Sequence, residues 1–277
     1  MIRVRVEDIL PPVALRVLRR LASEIRFAKY ERKDVLGPNA ELKGLGKGQR
    51  AFLLATGPSL KQEDLGLLEG EACYSVSNFF LHEKISVVKP KFHFFAPYHA
   101  PLVLENYLEW LQEADRCLPK ETGIFLGHEG LPLVEKYNLF SNRPVHYLYL
   151  SEFVSSNMVD LLKPVLTPQS GPLMILPVLI YMEYSEIYLL GCDHTVLKDY
   201  GCRVKNFYKG HLDLRKNATD SASWGDIVSS HESSLSVFKQ YNSYKSILER
   251  QEVLVKNLSR DSWLDTFSPE TLENICR

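Results

Sequence analysis

Apolar and polar positions follow two different periods along this chain. In residues 13–29, Val17, Leu18, Leu21, Ile25 and Ala28 recur at helical spacing while Arg16, Arg19, Arg20, Arg26 and Lys29 supply a basic face, which predicts an amphipathic helix. The stretch Leu36–Gln49, with Gly37, Gly44, Gly46 and Gly48, reads as a linker. From Arg50 onward the pattern changes to short continuous apolar runs. The first, within residues 50–60, is a buried strand that ends in Gly57-Pro58-Ser59 and hands over to a helix. Further strands are predicted at Ala72–Ser77, Phe92–Ala96, Gly123–Leu126, Val145–Leu150, Glu186–Leu190 and Glu252–Val255, separated by helical patterns such as Pro101–Ala114, Pro172–Tyr184 and Glu232–Arg250. Such alternation implies a single α/β domain of Rossmann-like kind, its sheet mostly parallel and covered on both faces. Between Asp193 and Ser230 no period is sustained, and a stretch this long in a compact domain suggests a lid over about 194–230. The expected organisation is a basic helix and linker over 1–49, an α/β domain with the lid over 50–260 and a tail helix over 261–277.

Composition narrows the function classes. With 277 residues and 45% apolar content the chain has enough material for a substantial core, and its net charge of −1 lacks the electrostatic footprint of a nucleic-acid binder. The five cysteines are odd in number and have no Cys-x-x-Cys spacing, which suits reduced thiols in a cytoplasmic protein better than disulfides or zinc. No signal peptide opens the chain, and its longest apolar run falls short of the ~20 residues needed to span a bilayer. Charge is uneven: residues 1–35 hold nine Arg/Lys against five Asp/Glu. The helix over 13–29 therefore either contacts anionic lipid at the inner face of the membrane or packs on the domain with its basic face in water.

The candidate chemistry lies at strand ends. Gly57, Pro58 and Ser59 offer a sharp turn followed by backbone and hydroxyl donors, without the Gly-Lys-Ser/Thr of a P-loop or the Gly-x-Gly-x-x-Gly of a dinucleotide site. Thr167-Pro168-Gln169-Ser170-Gly171 opens a helix and presents Ser170 and Gly171 at its N-terminus, while Pro177 must kink that helix or end its first half. Asn78 ends the second strand, where its amide suits a phosphate or ribose oxygen; a turn at a strand terminus explains it equally. Asp193, in Gly191-Cys192-Asp193, either holds a ribose or caps the turn that follows. There is no Asp-x-Asp and no Cys/His ligand set, so no metal is expected.

In their order and spacing, Gly57-Pro58-Ser59-Leu60, Ser75-Val76-Ser77-Asn78, Ser170-Gly171, Glu186-Ile187-Tyr188-Leu189 with Gly191-x-Asp193, and His231 before a helix resemble the bacterial sialyltransferases that use CMP-activated sialic acid. A related group of bacterial glycosyltransferases, which includes flagellin-modifying proteins, shares them. The resemblance spans roughly residues 50–260. It implies a variant GT-A-like fold and inverting, metal-independent glycosyl transfer without a cofactor. The implied donor is a CMP-activated ulosonic acid such as sialic acid or Kdo, and the implied acceptor a bacterial surface glycan or glycolipid. His231 falls where that family places its general base, and Tyr200 and Tyr208 fall in the lid whose tyrosines bond the departing phosphate. The chain departs from the family at Phe79, at His194 and Thr195, where an aromatic is usual, and at Thr167, where an arginine would suit an acidic sugar. Two alternatives stay open: a pterin diphosphokinase, since a related family shares Gly-Pro-Ser and Gly-x-Asp, and a non-catalytic nucleotide-binding scaffold.

Overall fold

The apolar runs become strands at or near the predicted positions, although the run Val145–Leu150 is split in two and the last predicted strand begins two residues late, at Leu254. In the computed structural model, which describes residues 11–99, 102–154, 158–201, 205–215 and 226–277, the strands are β1 (Arg50–Leu54), β2 (Ala72–Val76), β3 (Phe92–Phe94), β4 (Gly123–Gly127), β5 (Val145–Leu148), β6 (Leu150–Ser151), β7 (Val165–Leu166), β8 (Glu186–Leu190), β9 (Leu254–Asn257) and β10 (Ser268–Pro269). Eight of them form one sheet in the order β10-β9-β8-β1-β2-β3-β4-β5. Every pairing in it is parallel. The helices are α1 (Pro12–Ala28), α2 (Ile85–Val88), α3 (Leu104–Cys117), α4 (Leu131–Tyr137), α5 (Pro172–Tyr181), α6 (Ile227–Arg250) and α7 (Leu272–Ile275).

A parallel sheet has to be covered on both faces, and β1 shows how this sequence does it. Ala51 and Leu53 point into the cluster built with α5 and α6, whereas Phe52 and Leu54 point the other way, toward Leu60, Leu65, Leu68 and Tyr188. All ten residues of α5 are buried, which fits a helix that is apolar all round and is packed against β1, β2 and α6. Each such leucine or isoleucine contributes about 1.5–3 kcal/mol on burial. That payload carries the helix through Pro177, whose ring removes one backbone hydrogen bond without ending it.

Several expectations need correction. The segment read as a linker is packed: Lys33–Leu42 winds as a 3₁₀ run whose buried Asn39 donates Nδ2 to the carbonyls of Tyr147 (2.8 Å) and Leu161 (3.1 Å). The helix expected after Ser59 is only a 3₁₀ turn, Pro58–Gln62, because the chain must drop back at once into the turn Leu65–Leu68 to reach β2. The tail is not one helix throughout but adds the edge strand β10 and the short helix α7, with Leu272 fully buried. Proline suits that edge, where no neighbouring strand needs its N–H. Finally, α6 begins at Ile227, with the Asp226 carboxylate accepting from the Ser229 N–H at 2.8 Å, so His231 lies inside the helix instead of before it. The lid region holds two 3₁₀ turns, Val196–Asp199 and Gly210–Leu212, and residues 202–204 and 216–225 lie outside the described residues.

Candidate functional site

From β1 the sheet grows through β2 on one side and through β8 on the other, so the strand order reverses between β1 and β8. Loops leaving two such strands diverge and open a crevice beyond their carboxyl ends, the usual ligand position in open α/β sheets. Here it is a cleft of about 630 Å³, lined by Gly57 and Pro58 after β1, Ser77 after β2, Ser170 and Gly171 ahead of α5, and Asp193 and His194 after β8.

The two sequence junctions lock into each other at its floor. The Gly57 N–H donates to the Gly191 carbonyl at 2.9 Å. Ser59 donates its N–H to Asp193 Oδ2 at 2.8 Å and its Oγ–H to Oδ1 at 2.5 Å. A Cβ on residue 57 would stand 2.5 Å from both Asp193 Cγ and the Gly191 oxygen, so this close approach admits only glycine. Burial pushes the Asp193 carboxyl above its ordinary value, and the two bonds from Ser59 pull against that rise without cancelling it.

A similar approach aims α5 at the cleft: a Cβ on Gly171 would meet Val76 Cγ2 at 2.9 Å, so the helix N-terminus sits directly on the end of β2. The positive end of the helix dipole therefore faces the cleft. Beside it, Ser170 Oγ is buried next to the Tyr241 hydroxyl without a partner of good hydrogen-bond geometry. An orphaned buried hydroxyl at a helix N-terminus is what a ligand oxygen would satisfy.

Strain collects at the same place. Ser77 (φ 61°) and His194 (φ 51°) hold left-handed backbone conformations, which cost non-glycine residues roughly 1–3 kcal/mol each and persist where the surroundings over-determine them. The Ser77 carbonyl accepts from His93 Nε2–H at 2.9 Å. Since a carbonyl can only accept, the other ring nitrogen, Nδ1, takes the proton of Ser75 Oγ at 2.7 Å. Burial pushes His93 down to about 3, so this brace stays neutral. His194 places Nε2 at 2.9 Å from the Tyr241 hydroxyl, and its burial lowers it to about 4.

One cation on the cleft wall is rigidly held. The half-buried guanidinium of Arg215 donates Nε to Asp213 Oδ1 (2.9 Å) and Nη2 to Oδ2 (2.7 Å), and stands 4.9 Å from the centre of the Trp110 ring. Burial works to raise Asp213, but Arg215 holds it below the usual carboxylate range. Tyr208 donates its hydroxyl to Asp213 at 3.0 Å and is pushed up to about 12, chiefly by burial. Lys205 adds a second cation to the lining.

Of the residues predicted from sequence, Gly57, Pro58, Ser170, Gly171 and Asp193 come together around one cleft, and Ser59 reaches it through Asp193. Asn78 does not line it; fully buried behind the wall, it accepts from the Trp110 indole N–H. Tyr208 stands behind Arg215, and Tyr200 is exposed after the turn Val196–Asp199. His231 is exposed on α6, outside the lining, with Nδ1 bonded to the Ile227 carbonyl at 2.8 Å. Ser234, about one turn further along, lines a small recess shared with Ser170 and His194. Sequence reasoning missed Ser77, Lys205 and Arg215 as lining residues; Asp213-x-Arg215 was the available signal, but nothing local separates such a pair from a surface ion pair. Among the described residues, no group of three or more His, Cys, Asp or Glu side chains converges as a metal site would.

No protein-family model matches the chain, and no curated protein sequence matches it. Among solved structures, it is similar to the sialyltransferase CstII from Campylobacter jejuni in complex with cytidine-5'-monophosphate, at 13% identity and a TM-score of 0.48, over 80% of this chain and 85% of that one. A second structure, the sialyltransferase CST-II with a trisaccharide acceptor and CMP, matches at 16% identity and a TM-score of 0.44, over the same shares of the two chains.

Proposed function

We propose that this protein is an inverting, metal-independent glycosyltransferase whose donor is a nucleotide sugar, with a CMP-activated ulosonic acid as the best fit and a bacterial surface glycan or glycolipid as acceptor. The observation that carries this reading is the union of Gly57-Pro58, Ser170-Gly171 and Asp193 around one cleft at the sheet's switch point, with the N-terminus of α5 aimed into it. In this reading the donor phosphate lies at the α5 N-terminus, where Ser170 Oγ gains the partner it lacks. Arg215, held in plane by Asp213, meets the carboxylate of the acidic sugar, the role for which Thr167 stands in place of an arginine just ahead of Ser170.

The acceptor hydroxyl oxygen bonds to the anomeric carbon while the bond from that carbon to the phosphate oxygen breaks, its electron pair leaving with the nucleotide. His231 takes the hydroxyl proton. Its Nδ1–H is committed to the Ile227 carbonyl, which leaves the Nε2 lone pair as the acceptor. His194, although nearer, is lowered to about 4 and is a poor base at neutral pH. Tyr200 is the donor to the leaving phosphate; Tyr208 braces Arg215 through Asp213.

Thermal unfolding with CMP, UDP, GDP and ATP, each with and without magnesium, tests the reading. At 100 times its Kd a ligand adds ~2.7 kcal/mol, and CMP is expected to act without magnesium and more strongly than the others. A response to ATP that needs magnesium would support the diphosphokinase instead, and no response to any nucleotide would support a scaffold. With the donor in hand, His231→Ala lowers turnover at least ~10²-fold while leaving CMP binding unchanged; retained turnover removes His231 as the base.

A further inference from the structure

The helix α1 is attached to the domain by the side on which an amphipathic helix would normally be polar. Ser23, its one buried residue, is hydrogen-bonded to the Ser151 hydroxyl, Phe27 packs edge-on against Tyr149 at 4.8 Å, and Arg19 stands over the Phe153 ring at 5.5 Å. These residues succeed one another at i, i+4 and so share one face. At about 100° per residue, the apolar arc of Val13, Val17, Leu18, Leu21 and Ile25 is centred on the opposite side. Each of these five is between 49% and 71% exposed.

The borders of that arc are cationic. Arg16 and Arg20 flank it on one side, where Glu24 also lies, and Arg26 and Lys29 on the other, so cations outnumber the single carboxylate. Arg16 and Arg20 also line a recess of about 440 Å³ together with Arg250 from the end of α6, Phe153, the exposed Met158 and two carboxylates, Glu152 and Asp160, the second of which is paired with Lys163 at 3.5 Å. Within the described residues no helix is long and apolar enough to cross a membrane. An outward apolar arc with an excess of cations at its borders, beside a recess with three arginines against two carboxylates, matches the chemistry of an anionic lipid surface: acyl chains for the arc, phosphate headgroups for the guanidinium groups.

We propose that α1 docks this protein flat on an anionic membrane surface, with Val17, Leu21 and Ile25 entering the headgroup boundary and Arg16, Arg20 and Arg250 holding lipid phosphates. A second copy of the chain is the poorer occupant, because a two-fold pairing through this face sets the same cations against one another. The surface is independent of the cleft and of the activity proposed for it.

The test is sedimentation of the full chain with vesicles of phosphatidylcholine alone and of phosphatidylcholine with about 30% phosphatidylglycerol. Binding is expected to the anionic vesicles, to fall about tenfold or more in Val17→Asp/Leu21→Asp, and to weaken in Arg16→Gln/Arg20→Gln and in high salt. Melting of both variants checks that they fold. Absence of binding by the unaltered chain, or equal binding by it and the Val17/Leu21 variant, overturns the proposal. So does a concentration-dependent dimer that the same variant breaks, which makes a second copy the occupant.

Discussion

The switch-point edge and the helix α1 handle their side-chain chemistry in opposite ways. At the edge, polar groups are buried and almost every one is committed: Ser59 to Asp193, Gly57 to Gly191, Asp213 to Arg215. On α1, a lone buried hydroxyl and an aromatic contact hold the helix while its large apolar residues face outward. In the first region a change of one atom disturbs a packed lattice of bonds. In the second, the side chains of the outward arc are about half or more exposed. Under the proposed function the tight complementarity serves to position a ligand, and the exposed apolar area of α1 is what the proposed membrane contact would cover.

The comparison is broken most directly at residue 57. Gly57→Ala forces a methyl group to 2.5 Å from Asp193 Cγ and the Gly191 oxygen, neither of which can retreat from a buried strand end. A loss of about 3 kcal/mol is expected, at the upper end of overpacking costs, together with loss of stabilisation by CMP. Denaturant melts with and without the nucleotide check both.

A smaller effect is expected at Ser59. Ser59→Ala removes the Oγ–H bond to a buried carboxylate and leaves the backbone N–H bond in place, for about 1.5–2 kcal/mol at neutral pH. Its pH dependence follows from Asp193. Because burial raises that carboxyl in the folded state, the folded chain binds the proton more readily; stability from this group is full below the unfolded value and is lost as pH rises through the folded one. Losing Ser59 Oγ raises Asp193 further. The deficit of Ser59→Ala should therefore grow as pH rises from 4 to 7, and a deficit constant over that range would mean that Asp193 does not carry it.

The smallest effect sharpens the contrast from the other side. Leu21→Ser, on the outward arc of α1, should change stability by no more than about 0.5 kcal/mol in the absence of lipid, as for an exposed surface residue. A melting temperature several degrees lower would show that the arc is covered by this chain itself.

How much of this was legible beforehand depended on the distance between cause and effect. The strands and α5 could be read because their burial is written in continuous apolar runs, and Gly57, Ser170 and Gly171 because turn and helix-start chemistry is local. The tail was misread: Leu272 and Pro269 carry no period, and their role as an edge strand and its anchor exists only once β9 is present to pair with. The Leu36–Gln49 stretch looked like a linker because its glycines suggest looseness, although Asn39 is fixed by carbonyls more than a hundred residues away.

The sequence alone determined an α/β chain with glycine turns at two strand ends and a basic amphipathic helix ahead of them, since periodicity and turn propensity are properties of neighbouring residues. Tertiary structure decided the rest. It brought β8 beside β1, so that Asp193 met Ser59 across 134 positions and a cleft opened where the strand order reverses. It drew Arg215 out of the lid region onto the cleft wall and left His231 on an exposed turn of α6. It also turned the apolar arc of α1 away from the core. A helical period records that a face is apolar but not which way it will point, because the direction is set by what the opposite face finds to hold.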